Sequence, residues 1–483
     1  MEDMKIVIES PLLLHLHHEE EKIKSKKWFD ISETIEELKK QIFLAGPLVI
    51  VSFLQYSLQM ISLMFVGHLG ELSLAGASMA ASFAGATGFS VMLGMGGALE
   101  TLCGQAYGAK EYHILGIHMQ RALIVFTVTS IPIAFLWQFT GQIFASVGQD
   151  RDISSYAGAY ACWLIPSLFP YGILQCQFRF LQTQKVLKPL ILSTLFTSLM
   201  HILACWIVVF WFEFGHKGAA LCNAISYGIN VLILAAYIKF SPSCEKTWTG
   251  FSKESFQNLW SFVSLAIPSA LMVCLEMWSY EFLVFMSGLL PNRKLESSMM
   301  SISLSTSSLI FRIPYGFGSA VSTRVSNELG AGNPQSAQVA ARVVLVLSVI
   351  EGLIVGIVSL AARDVWGYLY TGEKELVRYM ASIMPVLALS NFMDGIQGVL
   401  SGVARGCGWQ KIGAFVNLGA YYLVGLPSAI TLTFVFHFGG KGLWMGIIGG
   451  SGLQSLLLLV ITTRTNWEKE AIKAKDRLLR SSR

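Results

Sequence analysis

Residues 45–67 read AGPLVIVSFLQYSLQMISLMFVG, and residues 266–288 read AIPSALMVCLEMWSYEFLVFMSG. Each run is long enough to cross the hydrocarbon core of a bilayer as a helix, which takes about twenty residues. Each carries a proline at its third position, Pro47 and Pro268, so the pair is offset by 221 residues (268 − 47). The same offset sets Val66-Gly67 against Ser287-Gly288. One residue further on, Thr101 meets Thr323 and Gly108-Ala109 meets Gly330-Ala331. A single landmark is weak, but a near-constant offset in the same order marks a duplicated unit.

Ten further apolar runs surround these two. The twelve fall near 41–65, 75–99, 121–147, 156–181, 190–212, 218–239, 260–289, 298–322, 338–361, 378–403, 412–436 and 441–463. The chain is 53% hydrophobic and only 13% charged, against about one quarter charged in an average soluble domain. Such a surface cannot be wetted. Within lipid every backbone polar group must be satisfied internally, which leaves helices or closed barrels. The ten-residue alternation of a barrel strand is missing, so the fold class is an all-α polytopic membrane protein.

Six spans per repeat is an even number, so both halves run the same way. They are then two six-helix bundles related by a pseudo-twofold axis along the membrane normal. Lys and Arg concentrate in the two tails and in the turns on their side, among them Lys22, Lys24, Lys26, Lys27, Lys469, Lys473 and Lys475. The positive-inside rule places both termini in the cytoplasm. The expected layout is a cytoplasmic tail over 1–40, an N-lobe over 41–239, a cytoplasmic linker over 240–259, a C-lobe over 260–463 and a cytoplasmic tail over 464–483. In the first tail, Glu9 to Leu14 fits an acidic dileucine sorting pattern, and His15, His17 and His18 read as solvated rather than metal-binding. The eight cysteines form no CxxC pair and read as small buried thiols.

Ionisable groups inside a membrane are costly and are functional candidates by default. Four acids fall within spans of the second half, Glu276, Glu281, Glu351 and Asp394, whereas the first half has only Glu100, at the end of its second span. Glu276 stands eight residues after Pro268, and its repeat counterpart is Gln55. Asp394, flanked by Asn391 and Gly395, lies at a similar depth in the tenth span. Tyr280, four residues beyond Glu276, shares its helix face. Two carboxyls in one cavity can hold a proton on one side of the membrane, then lose it or trade it for a cation on the other. Glu281 lies about 140° around the helix from Glu276 and need not share that cavity. Pro47 and Pro268 each remove an intrahelical hydrogen bond and are hinge candidates. Glu100 and Glu351 read as structural. Arg179 is expected to snorkel from the end of the fourth span, and Arg312 to pair with an acid the sequence does not name.

The sequence has no HExxH, GxSxG or GxxxxGK[ST], which argues against an enzyme, a catalytic metal and an ATP-driven pump. Neither a filter sequence nor a ring of charge points to a channel. Energy for transport would then come from an ion gradient or from the solute's own gradient.

Several motifs resemble those of the multidrug and toxic compound extrusion (MATE) family, in its plant branch. They are Phe65 to Ala77 (FVGHLGELSLAGA), Gly97 to Ala109 (GALETLCGQAYGA), Arg324 to Pro334 (RVSNELGAGNP), Arg405 to Lys411 (RGCGWQK) and Asn417 to Pro427 (NLGAYYLVGLP). The resemblance implies a V-shaped pair of bundles and a proton-coupled antiporter. Its solutes would be organic cations, drugs, toxins and plant secondary metabolites, exported by alternating access. It also implies that the family's acids of the seventh and tenth helices are Glu276 and Asp394, with Tyr280, Glu281 and Asn391 as neighbours in a proton and substrate site. The expected coupling ion is the proton, with no other cofactor. The expected partners are small solutes and lipid rather than nucleic acid, and the expected state is a monomer in the plasma membrane rather than the vacuolar membrane. A sodium-coupled exporter of the same fold and a lipid or lipid-linked-sugar flippase are the alternatives.

Overall fold

A computed structural model of the protein describes residues 31–481. The dileucine-like stretch and the three tail histidines lie outside them. Among the described residues all regular structure is helical, and eleven helices are long and apolar enough to cross a membrane. They are α1 (Ile31–Gly67), α2 (Glu71–Gly108), α3 (Tyr112–Gln138), α4 (Arg151–Thr183), α5 (Lys188–Trp211), α6 (Gly215–Phe240), α7 (Leu259–Ser287), α10 (Pro334–Leu369), α11 (Lys374–Cys407), α12 (Gln410–Val435) and α13 (Gly440–Arg464).

The eighth span is α8 (Arg293–Ile310) followed by α9 (Arg312–Gly330), interrupted at Phe311. It is less apolar than the other spans because it is rich in serine and carries Arg312. Pro314 explains the break, since it has no N–H for the carbonyl of Ile310, four residues back. The twelve-helix, two-bundle fold therefore stands, with one span more polar than the rest.

Several boundaries differ from the sequence reading, three of them with a structural consequence. The helix of the first span begins at Ile31, inside the stretch expected to be tail, because Glu37 is held there by Arg324 of α9 through two hydrogen bonds of 2.9 and 2.7 Å. The third span stops at Gln138, and a separate short helix, Thr140–Ser146, follows. At the other end α14 (Trp467–Ser481) is an amphipathic helix. Its Glu470 accepts from Trp409 Nε1 (3.0 Å) and its Arg477 donates to Gln105 (3.2 Å). All eight cysteines are free thiols.

The lobes meet through α1 against α9, α2 against α7, and α2 against α9, and glycine sets how closely. At Gly94 of α2 a Cβ would strike the backbone of Ala270 in α7. At Gly316 of α9 it would strike Val49 of α1. Gly94 and Gly316 are repeat equivalents (316 − 94 = 222), as are Val49 and Ala270 (270 − 49 = 221). The next crossing repeats the pattern. A Cβ on Gly108 would collide with Asn327, and one on Gly330 with Gln105, again at offset 222 (330 − 108 and 327 − 105). The pseudo-twofold relation is thus written into the contact surface itself. Pro47 and Pro268 each lie two residues before a crossing, which places both hinge candidates at the seam between the lobes.

Candidate functional site

Glu276 stands on α7, two turns past the bend expected at Pro268, and is half-buried. Asp394 stands midway along α11, the tenth span, and is buried. The two helices bind each other's acids reciprocally. Tyr280 of α7 donates its hydroxyl to Asp394 Oδ1 (3.0 Å). Gln397 of α11 donates its amide to Glu276 Oε2 (2.7 Å). Each donor lies about one turn beyond the acid on its own helix, so both sit on the facing surfaces. Ser390 adds a second donor to Asp394, at Oδ2 (3.3 Å).

The walls are aromatic. The Tyr280 ring lies 6.5 Å from Tyr421 of α12 and 6.2 Å from Trp444 of α13, centroid to centroid. Tyr421 Oη, Trp444 Nε1 and Asn391 Nδ2 are buried with no hydrogen-bond partner among the described residues. Unmatched polar atoms are costly in a dry interior. These three lie in the part of the C-lobe that holds the two acids. Tyr421 sits in a stretch of π-helical turns, Leu418–Gly425, an irregularity that re-aims side chains and recurs at functional sites.

The other acids are elsewhere. Glu281, five residues past Glu276, accepts from Ser82 of α2 (3.0 Å) and so faces the other lobe. Asn391 is buried on α11, three residues before Asp394, and its amide nitrogen bonds neither acid. The Glu351 carboxylate reaches the surface of α11 beside Gly395.

A second charged cluster closes the end of the bundle where α1 begins and α14 packs. Glu100 of α2 holds Arg179 of α4 (2.7 Å) and Arg405 of α11 (2.9 Å), all three nearly or fully buried. Arg179 was expected to snorkel. Instead it is taken up by Glu100, by Gln182 (2.7 Å) and by Tyr315 of α9 (2.7 Å), because three acceptors inside the protein replace the water that snorkelling would reach. Thr101 donates to the Arg405 carbonyl, and Gln410 to Thr101 (2.7 Å). The motif residues Glu100, Thr101, Arg324, Arg405 and Gln410 therefore tie the two lobes together and leave the acid chamber to other residues. Sequence reasoning missed Gln397, Ser390 and Tyr421. Gln397 and Ser390 had a usable signal, their places three residues after and four before Asp394 on one helix face, and Tyr421 had none.

Comparison with known proteins covers nearly the whole chain. The family model described as MatE matches residues 47–207 and again residues 268–431, two matches that start 221 residues apart (268 − 47). Protein DETOXIFICATION 16 of Arabidopsis thaliana is 55% identical over 93% of this chain and 93% of its own length. Protein DETOXIFICATION 15 of the same plant is 52% identical over 92% of each. Among solved structures, the eukaryotic MATE transporter AtDTX14 is 47% identical with a TM-score of 0.89, over 92% of this chain and 99% of that one. The Vibrio cholerae MATE transporter VcmN in its bent form, 17% identical, shares the fold with a TM-score of 0.76 over 92% of this chain and 99% of its own.

Proposed function

The chain belongs to the MATE family of multidrug and toxic compound extrusion transporters, and from that premise we propose that it is a proton-coupled antiporter. It exports organic cations, drugs, toxins and plant secondary metabolites, and it works as a monomer in the plasma membrane with both termini in the cytoplasm. One observation carries the coupling mechanism: the reciprocal pair in which Tyr280 binds Asp394 and Gln397 binds Glu276. The pair gives both acids neutral donors, and among the described residues no cation is bonded to either.

An uncompensated pair of carboxylates in a membrane interior is costly. Taking up a proton relieves that cost, and so does receiving a cationic solute. The two therefore compete for one site, which is the requirement for exchange. The Glu100–Arg179–Arg405 cluster closes the terminal end in this state, so the chamber is served from the opposite side. Breaking the cluster and remaking contacts across the glycine crossings returns it to the cytoplasm.

The test is efflux of a cationic dye from proteoliposomes under an imposed pH gradient, with sodium absent and then present at fixed pH. Glu276→Gln and Asp394→Asn should each abolish pH-driven efflux while the purified proteins keep their elution profile and melting temperature. Wild-type rates in either variant defeat the assignment. Efflux that follows sodium and ignores pH assigns the coupling to sodium instead.

A further inference from the structure

Arg312 opens α9 at the break after Phe311, inside the eighth span. Its Nε donates to the Ser308 carbonyl (3.0 Å). Its guanidinium lies over the ring of Tyr56 from α1, 5.0 Å from the centroid, and 6.0 Å from that of Tyr315. Among the described residues no carboxylate comes within ion-pair distance of it, and no protein acceptor takes its two terminal amino groups. Arg179, Arg324 and Arg405 each hold a glutamate at 2.7–2.9 Å, and buried Arg121, which holds none, gives its terminal amino groups to the Ser481 carbonyl (3.4 and 3.5 Å). Arg312 was expected to find an acid as well, and it does not.

A cation within a membrane protein needs compensation. Two tyrosine faces supply part of it. The rest must come from something that enters. Tyr56 lines a cleft of about 370 Å³ between α1 and α8, walled also by Phe53, Met60, Leu309 and Tyr370. The walls are aromatic and apolar apart from Ser57 and Ser305, and Arg312 adjoins the cleft through Tyr56, over whose ring its guanidinium lies. This place is separate from the acid chamber, whose donors Tyr280, Gln397 and Ser390 do not touch it.

We propose that Arg312 and this cleft form a second solute subsite, one that receives the carboxylate of an aromatic organic acid. The guanidinium fork matches a carboxylate through two parallel N–H···O bonds, and the rings Phe53, Tyr56 and Tyr370 take the aromatic body. The subsite rests on the reading of the chain as an exporter and widens its solute range from cations to aromatic anions and zwitterions.

Binding to the purified full-length protein in detergent tests it without requiring transport. The probes are coumarin-3-carboxylate and its uncharged twin, coumarin-3-carboxamide, followed by their fluorescence. The wild type should favour the carboxylate by about tenfold or more, the value of a hydrogen-bonded charge pair. Arg312→Gln should bring that ratio to about one, and Arg312→Lys should keep part of it. Equal wild-type affinity for the two probes overturns the proposal, and so does an unchanged ratio in Arg312→Gln. If Arg312→Gln fails to fold, the wild-type ratio and Arg312→Lys still decide. Chloride titration separates the sources of negative charge: a site that takes chloride and ignores the carboxylate holds a free inorganic ion only, which also overturns the proposal. Dye efflux from wild-type proteoliposomes is read apart. Its absence alongside carboxylate-selective binding defeats the exporter reading and leaves the subsite standing.

Discussion

The two lobes are copies in backbone and opposites in chemistry. Glu276 of α7 has Gln55 of α1 as its counterpart (276 − 55 = 221), and α4, which holds the place of α11 in the first repeat, carries no acid beyond Asp152 in its first turn. The N-lobe has its own buried polar cluster, but it is neutral in make-up. His201 touches Ser62 (2.9 Å) and Ser226 (2.8 Å), and Asn223 donates to Ser62 (3.0 Å). The difference teaches that duplication supplies a frame and two hinge points. Glu276, Asp394 and the π-helical turns at Leu418–Gly425 in α12 belong to one copy, as sequence and local geometry.

The sharpest way to break the comparison is to neutralise one site in each lobe. Asp394→Asn keeps the shape and removes the exchangeable proton, so pH-driven efflux should fall by about a hundredfold or more, the scale of a lost ionisable group in a transport site. His201→Asn disturbs only interhelical bonds worth about 0.6 kcal/mol each in membrane proteins, so its efflux should keep the wild-type pH profile. A His201→Asn profile displaced like that of Asp394→Asn would show that the N-lobe takes part in coupling.

What the lobes share should respond alike. Gly108→Ala and Gly330→Ala each place a methyl group against the backbone of the partner helix, at Asn327 and Gln105. Overpacking of that kind costs about 1–3 kcal/mol, which disfavours the closed terminal end by roughly tenfold. Both variants should expose a cysteine introduced at Thr101, in a background without the native thiols, to a labelling reagent from the terminal side. Labelling in only one of them would mean that the crossing is not symmetric in energy.

The shared frame was legible in the sequence, and the partnering was not. Pro47, Pro268, Gly108 and Gly330 announce themselves by offset alone, because a repeat keeps the residues its backbone contacts require. Glu276 and Asp394 stand out because charge is rare in a span, and Tyr280 follows from helix periodicity. The Glu100–Arg405 bond joins residues 305 positions apart, and no pattern within one helix reveals a partner on another. The eighth span reads as one helix because a Pro314 break and a tolerated proline look the same in sequence. Pro47 and Pro268 lie inside helices that continue through them. The last helix went unseen because its charges, such as Glu470 and Arg477, read as a solvated tail until Trp409 and Gln105 are known to meet them.

Tyr280 sharpens the comparison within the C-lobe. Tyr280→Phe removes one of two donors to Asp394 and keeps the ring against Tyr421 and Trp444. Single hydrogen bonds between membrane helices reach about 1.7 kcal/mol at most, so efflux should slow by roughly five- to twentyfold, with coupling to pH retained. A loss as complete as that of Asp394→Asn would make the tyrosine hydroxyl itself part of the proton path.

The smallest effect comes from the most closely matched control. Glu276→Gln and Glu281→Gln make the same chemical change on the same helix, five residues apart. In both, the new amide oxygen still accepts the native donor: Gln397 Nε2 for the first, Ser82 Oγ for the second. Packing and hydrogen bonding are therefore held nearly constant, and the only property removed is the ability to gain and lose a proton. If that property matters only inside the chamber, Glu276→Gln abolishes pH-driven efflux and Glu281→Gln leaves it within about twofold, since one interhelical bond of about 0.6 kcal/mol sets the scale of any remaining loss. Initial rates of dye efflux at matched protein density, over a series of pH gradients, decide it. A large loss in Glu281→Gln would move the proton path out to the seam between α2 and α7, and the chamber would no longer be the sole seat of coupling.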